Sequence, residues 1–186
     1  ITYEMPMLKL THPDHLKDAV ELLKSGAFKT AIVDSLSNLS KIVLDYTKLY
    51  GSKSGGPMRH GMQAFGKTGG DILDFVRSLL PLPMHFVFIG HGKQFQINRG
   101  TEDEPLMVSV ASPIFEGKKI LNELPFLISH IFSARNTGRK TDKGKPIFAL
   151  RTRKKEPEDY ERTLCLRLNE DEEPNLTNIF NKILGK

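Results

Sequence analysis

The chain is short of cysteine, has no tryptophan and carries no long apolar run, and each shortage narrows what it can be. One cysteine in 186 residues, Cys165, excludes an internal disulfide framework and fits a reducing compartment. No stretch approaches the ~20 apolar residues of a membrane span, and no signal-peptide pattern is visible. A cytoplasmic chain without a membrane partner is therefore expected. The histidines are scattered, and His12 and His15 lack acidic or cysteine partners at zinc spacing, so no structural metal is expected. The first residue is Ile and not Met, which suggests a processed, trimmed or partial chain.

What is present is enough for one domain with a sizeable core: 39% of the residues are hydrophobic and 26% charged, an ordinary globular balance. The net charge of +5 points to an acidic partner, nucleic acid first. Internal repeats are not apparent.

Met7–Leu10 reads as a short strand. Thr11, Pro13 and Asp14 then offer a helix start, and Leu16, Ala19, Val20, Leu22 and Leu23 share one face up to Gly26. Phe28–Leu36 reads as a buried strand, because Ala31-Ile32-Val33 is apolar without alternation, as in a parallel sheet covered on both sides. A helix is predicted over Asn38–Tyr50. A glycine-rich basic loop follows over Gly51–Gly61. A third helix, starting at Met62 or only at Asp71, carries the stripe Ile72, Leu73, Phe75, Val76, Leu79 and Leu80 until Pro81 and Pro83. His85–Gly90 is a second buried strand.

Beyond residue 91 the pattern loosens. Gly92–Glu104 reads as a polar loop, Pro105–Val110 as a strand and Leu121–Leu127 as a short helix or turn. Ile128–Arg135 and Lys145–Arg153 are expected to pair antiparallel across the basic loop Asn136–Gly144. Leu164–Leu168 is a candidate strand, Glu170–Glu173 a solvated turn, and Pro174–Leu184 a terminal helix. The architecture this implies is a three-layer α/β domain, with a largely parallel central sheet and antiparallel strands toward the C-terminus.

Several residues carry chemistry. Asp34 ends an apolar strand just before a helix, where open α/β sheets present their ligands. Its carboxylate there would face Mg²⁺ and nucleotide phosphates, or would simply cap the helix. His91 follows the second buried strand, either as a polar group near a γ-phosphate or as a solvated turn residue. Arg151 and Arg153 alternate along a strand end, as arginine fingers or as a basic edge. The loops holding Lys53, Arg59 and Lys67, and Lys93, Phe95 and Arg99, have the cations and occasional aromatics that track a nucleic-acid backbone, though solvated loops share that composition.

Gly61–Thr68 reads G-x-x-x-x-G-K-T, a literal phosphate-loop pattern. That pattern works between a feeding strand and a helix. Here a loop precedes it, and Gly69-Gly70 would weaken the first helical turn where phosphates would sit. The context argues against a phosphate site.

Taken in order, Phe28–Ser37, Phe65-Gly66, His85–His91, Gly117-Lys-Lys, Glu123-Leu-Pro125, Phe148–Thr152 and Glu173–Thr177 resemble the RecA-like AAA-type ATPases of phages, a family of nucleotide-binding and single-strand-annealing ATPases. The resemblance covers the chain from about residue 10. It implies a single RecA-like core over 1–186, binding ATP and Mg²⁺ and acting on single-stranded DNA in phage recombination or replication, in the host cytoplasm. Asp34 is then the magnesium-side acid, with Ser35 its neighbour and His91 the sensing position. Arg151 and Arg153 would reach a neighbouring subunit's nucleotide, and Lys53, Arg59, Lys67, Lys93 and Arg99 would lie in the DNA-binding loops. A homo-oligomeric ring or filament is implied, with a single-strand-binding protein as a further partner. The family's phosphate loop and catalytic glutamate would fall upstream of Ile1, so the core is expected to be incomplete at its N-terminus. Two rival readings are a non-catalytic DNA-binding or assembly module, and a phosphotransferase that uses Gly61–Thr68.

Overall fold

The computed structural model describes residues 6–58, 60–155 and 159–186. Arg59 lies outside them. The chain is a mixed α/β protein that divides into two compact units, one formed by the residues up to His91 together with Ile114–Leu127, the other by Gly92–Pro113 and Ile128–Lys186.

In the first unit α1 (His15–Lys24) starts with a turn in which His15 and Leu16 donate to the carbonyls of His12 and Pro13. Asp14, not Thr11, stands at its N-cap position and makes no side-chain cap bond. Leu16, Ala19 and Val20 are its buried face, whereas Leu22 is 47% exposed. Residues 7–10, expected as a strand, are unpaired coil, and Met7 is exposed.

β1 (Thr30–Asp34) and β2 (His85–Ile89) pair in parallel, from Thr30 opposite His85 to Asp34 opposite Ile89. Parallel neighbours need a long crossover. Here it is α2 (Leu36–Tyr50) followed by α3 (Gly61–Leu79). The expected burial on both faces of β1 is not found. Ala31 and Val33 are half-buried while Thr30, Ile32 and Asp34 are exposed. Thr30, Ile32 and Asp34 alternate to one face of the strand, so that face is open while the other is half-covered. The β1–β2 pair is also the one parallel pairing among the described residues, where a largely parallel central sheet was expected.

The core of this unit is helical. α3 packs against α1, α2 and α4 (Lys118–Leu127). Ile72, Leu73, Phe75, Val76 and Leu79 of α3 are buried with Leu39, Val43 and Leu44 of α2 and Ile120 and Leu124 of α4. Arg77 of α3 ties these elements by donating to Asp74 (2.9 Å) and across to Glu123 of α4 (3.0 Å). Gly117, at φ 108, turns the chain into α4 so close to α3 that a Cβ would meet the Phe65 carbonyl oxygen at 3.1 Å.

The second unit is built from antiparallel strands. β3 (Gly92–Asn98), where a loop was expected, and β4 (Met107–Pro113), which overlaps the strand expected over Pro105–Val110, form a hairpin. Asn98 closes it, since its Oδ1 accepts from the N–H groups of Gly100 and Leu106 at 2.9 and 3.0 Å. β5 (Ser133–Lys140), β6 (Pro146–Arg151) and β7 (Asp171–Glu172) form a sheet in that order, and α5 (Leu176–Leu184) ends the chain. The antiparallel β5–β6 pair was expected. Leu164–Leu168 was expected as a strand but is a turn with Leu164 and Leu166 exposed, and the acidic run expected as a solvated turn supplies β7.

Glu172 explains β7. Its buried carboxylate accepts two hydrogen bonds from Lys182 Nζ of α5 (2.8 and 2.6 Å) and one from the Asn169 N–H (2.7 Å). Burial pushes its carboxyl up, but the bonds from Lys182 and Asn169, with the Lys182 charge, outweigh burial and hold it below the ordinary 4.5. The unfolded chain therefore takes up this proton more readily than the folded one. The stabilisation is present above the ordinary value and is lost as pH falls through the lower folded value. Glu172→Gln is expected to cost ~1–2 kcal/mol at neutral pH, a value reduced for the partial exposure of Lys182. It should also flatten the acid limb of stability against pH in urea titrations. An unchanged acid limb would show that another group governs it.

Candidate functional site

The parallel register brings together the carboxyl ends of β1 and β2, and with them Asp34, Ser35 and the Gly90-His91 segment. Asp34 is exposed, and among the described residues its carboxylate has no hydrogen-bond or ion-pair partner. The Asp34–Ser35 peptide bond is cis. Ser35 is the extended N-cap of α2, and its Oγ accepts from the Asn38 N–H at 3.2 Å. The cap of this helix is thus Ser35, and the alternative role for Asp34, capping, is already filled.

Two serines of α2 hold the far side of the site. Ser37 Oγ accepts from the His91 backbone N–H at 2.9 Å. Ser40 Oγ donates to the Ser37 carbonyl at 2.8 Å and accepts from the Glu116 N–H at 3.2 Å. Both serines are buried, so polar atoms inside the unit are satisfied by the chain segments that leave the sheet. The backbone is closed further by Ile114 N–H, which donates to the His91 carbonyl at 2.7 Å. The His91 backbone is therefore fixed at both its N–H and its carbonyl, while its ring is exposed. Sequence reasoning did not single out Ser37 and Ser40. The signal was present: they lie three apart on one helical face, directly after the strand that ends in Asp34.

The literal phosphate-loop pattern is helical throughout. Gln63 and Ala64 N–H groups donate to the His60 carbonyl, and α3 continues unbroken from Gly61. From Gln63 onward its amides are committed to the helix, so the segment is not the open glycine loop that wraps a phosphate. Lys67 Nζ is bound to Asp71 at 2.8 Å, one turn along the same helix. Thr68 is fully buried, and among the described residues its Oγ1 has no hydrogen-bond partner. The helical state counts against Gly61–Thr68 as a phosphate cradle. A hydroxyl buried without a partner costs stability that an isosteric methyl does not. Thr68→Val is therefore expected to leave nucleotide response unchanged and to keep or raise stability, by up to ~1 kcal/mol in thermal melts. Loss of nucleotide response in this variant would restore the phosphate-loop reading.

The remaining expected site residues fall as follows. Lys53 is exposed in the turn where Gly55 and Gly56 N–H groups donate to Ser52. Lys93 is exposed on β3, and Arg99 follows that strand, its N–H donating to the Leu106 carbonyl. Arg151 ends β6, half-buried, with a buried Nε that has no partner among the described residues. Arg153 lies past the strand end, and its guanidinium donates to the Leu168 carbonyl at 3.3 Å. Thr152 between them is fully buried and donates to the Asn169 carbonyl at 2.6 Å. Lys93, Arg99, Arg151 and Arg153 belong to the second unit, and Asp34, Ser35, Lys53, Lys67 and His91 to the first.

For a magnesium–nucleotide, the described residues fit in one respect: Mg²⁺ takes one or two carboxylates and keeps its other positions for water and phosphate oxygens, and Asp34 offers one unengaged carboxylate. They hold no group of three or more metal-ligating side chains, and the glycine segment that matches a phosphate loop is helix. Among them no helix is long and apolar enough to cross a membrane.

The fold and site thus define a mixed α/β protein with a solvent-facing carboxylate at the end of a parallel strand pair. Comparison with protein-family models, curated proteins and solved structures gives no match.

Proposed function

We propose that this chain is a RecA-like core, a three-layer α/β fold, of an ATP-dependent protein that acts on single-stranded DNA in phage recombination or replication. The observation that carries the reading is the parallel β1–β2 register, with Asp34 and His91 at one carboxyl end of the pair. Such ends are where open α/β sheets take their ligands. Asp34 would hold the water shell of Mg²⁺, with Ser35 beside it, and His91 would respond to the terminal phosphate. Bound ATP–Mg²⁺ would supply the difference in free energy between two DNA-binding states. Arg151 and Arg153 would reach the nucleotide of a neighbouring copy in a ring or filament. Lys53, Arg59, Lys67, Lys93 and Arg99 would contact the DNA backbone, with a single-strand-binding protein as a further partner.

A second reading is a non-catalytic DNA-binding or assembly module of the same descent. It is favoured by the helical state of Gly61–Thr68, which removes the one phosphate-loop pattern in the chain. The two readings separate by titrating a fluorescent single-stranded oligonucleotide with and without ATP and Mg²⁺. The first expects the affinity to change with nucleotide. Salt-sensitive DNA binding that ATP leaves untouched would sink it and leave the second.

A further inference from the structure

The β5–β6 hairpin ends in a basic tip that none of the roles above uses. Residues 139–145 hold Arg139, Lys140, Lys143 and Lys145 against the single acid Asp142. All four cations are exposed, and among the described residues none makes an ion pair or side-chain hydrogen bond. Three other cations of the same unit are engaged. Arg135, near the base of this hairpin, forks onto Asp171, Arg153 donates to Leu168, and Lys182 is paired with Glu172.

The tip is a defined turn. Gly144 N–H donates to the Thr141 carbonyl and Thr141 N–H to the Lys145 carbonyl, both at 2.8 Å. Lys145 N–H donates to Thr141 Oγ1 at 3.2 Å, and Gly144 takes the positive φ of 74 that closes the turn. The backbone that carries the cations is thus ordered before any ligand arrives, which lowers the ordering cost of binding.

An aromatic accompanies them. Phe148 is 47% exposed on β6. Pro146 and Phe148 alternate to one face of the hairpin, and Lys140, the cross-strand partner of Pro146, shares it. A guard against edge pairing accounts for Arg139 and Lys140 on the edge strand β5. It accounts neither for Lys143 and Lys145 in the turn nor for an exposed ring on the middle strand. Spaced, unneutralised cations beside an exposed ring fit a phosphate backbone whose bases are free to stack.

We infer that the β5–β6 hairpin tip, through Arg139, Lys140, Lys143, Lys145 and Phe148, is a binding surface for single-stranded DNA. The choice of DNA rests on the function proposed above. The demand for an unpaired, anionic strand rests on the tip itself.

The test is anisotropy of a labelled oligo-dT with the full chain over a range of salt. Joint substitution of Arg139, Lys140, Lys143 and Lys145 by Gln is expected to weaken binding by about tenfold or more near physiological salt and to lower the salt slope by about 3. Phe148→Ala alone should weaken it roughly fivefold or more with the slope unchanged. Photocrosslinking of the unaltered protein to a substituted oligonucleotide should map to residues 139–148, which keeps the test independent of variant folding. Full binding by the fourfold variant, with crosslinks elsewhere, overturns the proposal. If Lys53→Ala with Lys93→Ala then removes binding, the single-stranded DNA reading survives without the hairpin. If the unaltered protein ignores oligo-dT and binds anionic phosphatidylserine vesicles or RNA through the tip, the proposal and that reading both fall.

Discussion

Asp34→Asn is expected to remove most of the effect of ATP–Mg²⁺ on DNA binding while leaving the protein as stable as before. The carboxylate is exposed and has no partner among the described residues, so its charge contributes little to folding. Exposed substitutions of this kind stay within ~0.5 kcal/mol. Mg²⁺ is a hard cation that needs an anionic oxygen, and Asn keeps the shape while losing the charge. Losses of groups that support a metal run to about 10- to 100-fold in affinity or activity, and a comparable weakening of the nucleotide response is expected here. Equal melting curves with a collapsed nucleotide response would tie the response to Asp34. A variant that responds to ATP as the parent does would remove Asp34 from the site, and with it the ATPase reading. Ser37→Ala is the matching probe of the His91 backbone, since it removes the acceptor at 2.9 Å without touching Asp34.

The second large effect concerns stability. Leu73→Ala in α3 is expected to cost about 3 kcal/mol, within the 2–5 kcal/mol found for such truncations in packed cores. Leu73 is 0% exposed on the helix that packs against α1, α2 and α4, so a cavity there cannot fill from solvent. A domain has only ~5–15 kcal/mol in hand, so this loss should move the midpoint of a urea transition well outside error. Leu80→Ala is the comparison. Leu80 belongs to the same apolar stripe in the sequence but is 44% exposed, and its truncation should cost about 0.5 kcal/mol or less. Equal losses at the two positions would mean that α3 is rotated relative to the core described here.

The contrast between those leucines shows how far the sequence could be read. The helices were legible because an apolar residue every third or fourth position produces one sticky face, as at Leu39, Val43 and Ile72, Val76, Leu79. β1 and β2 were legible because Ala31-Ile32-Val33 and Phe86-Val87-Phe88 are short β-favouring runs, and Asp34 was conspicuous at the end of the first. The first half of α3 was ambiguous, since its glycines oppose helix, and it is helical because Ala64, Thr68 and Gly69 lie against neighbouring elements. β3 was missed because its exposed polar residues look like loop, and its hydrogen bonds come from β4 nine or more residues away.

By itself, then, the sequence determined the amphipathic helices, the two apolar strands, the lone thiol of Cys165 and the basic character of the loops. These depend on local composition and on spacing within about one or two turns. Tertiary structure alone decided that β1 and β2 are parallel neighbours, so that Asp34 and His91 share an end, and that Ser37 and Ser40 hold that end together. It also decided that Glu172, beside β6, meets Lys182 of α5. Each of these is a pairing between groups whose partner is chosen by packing, and no local pattern carries the identity of a partner that the fold has yet to bring near.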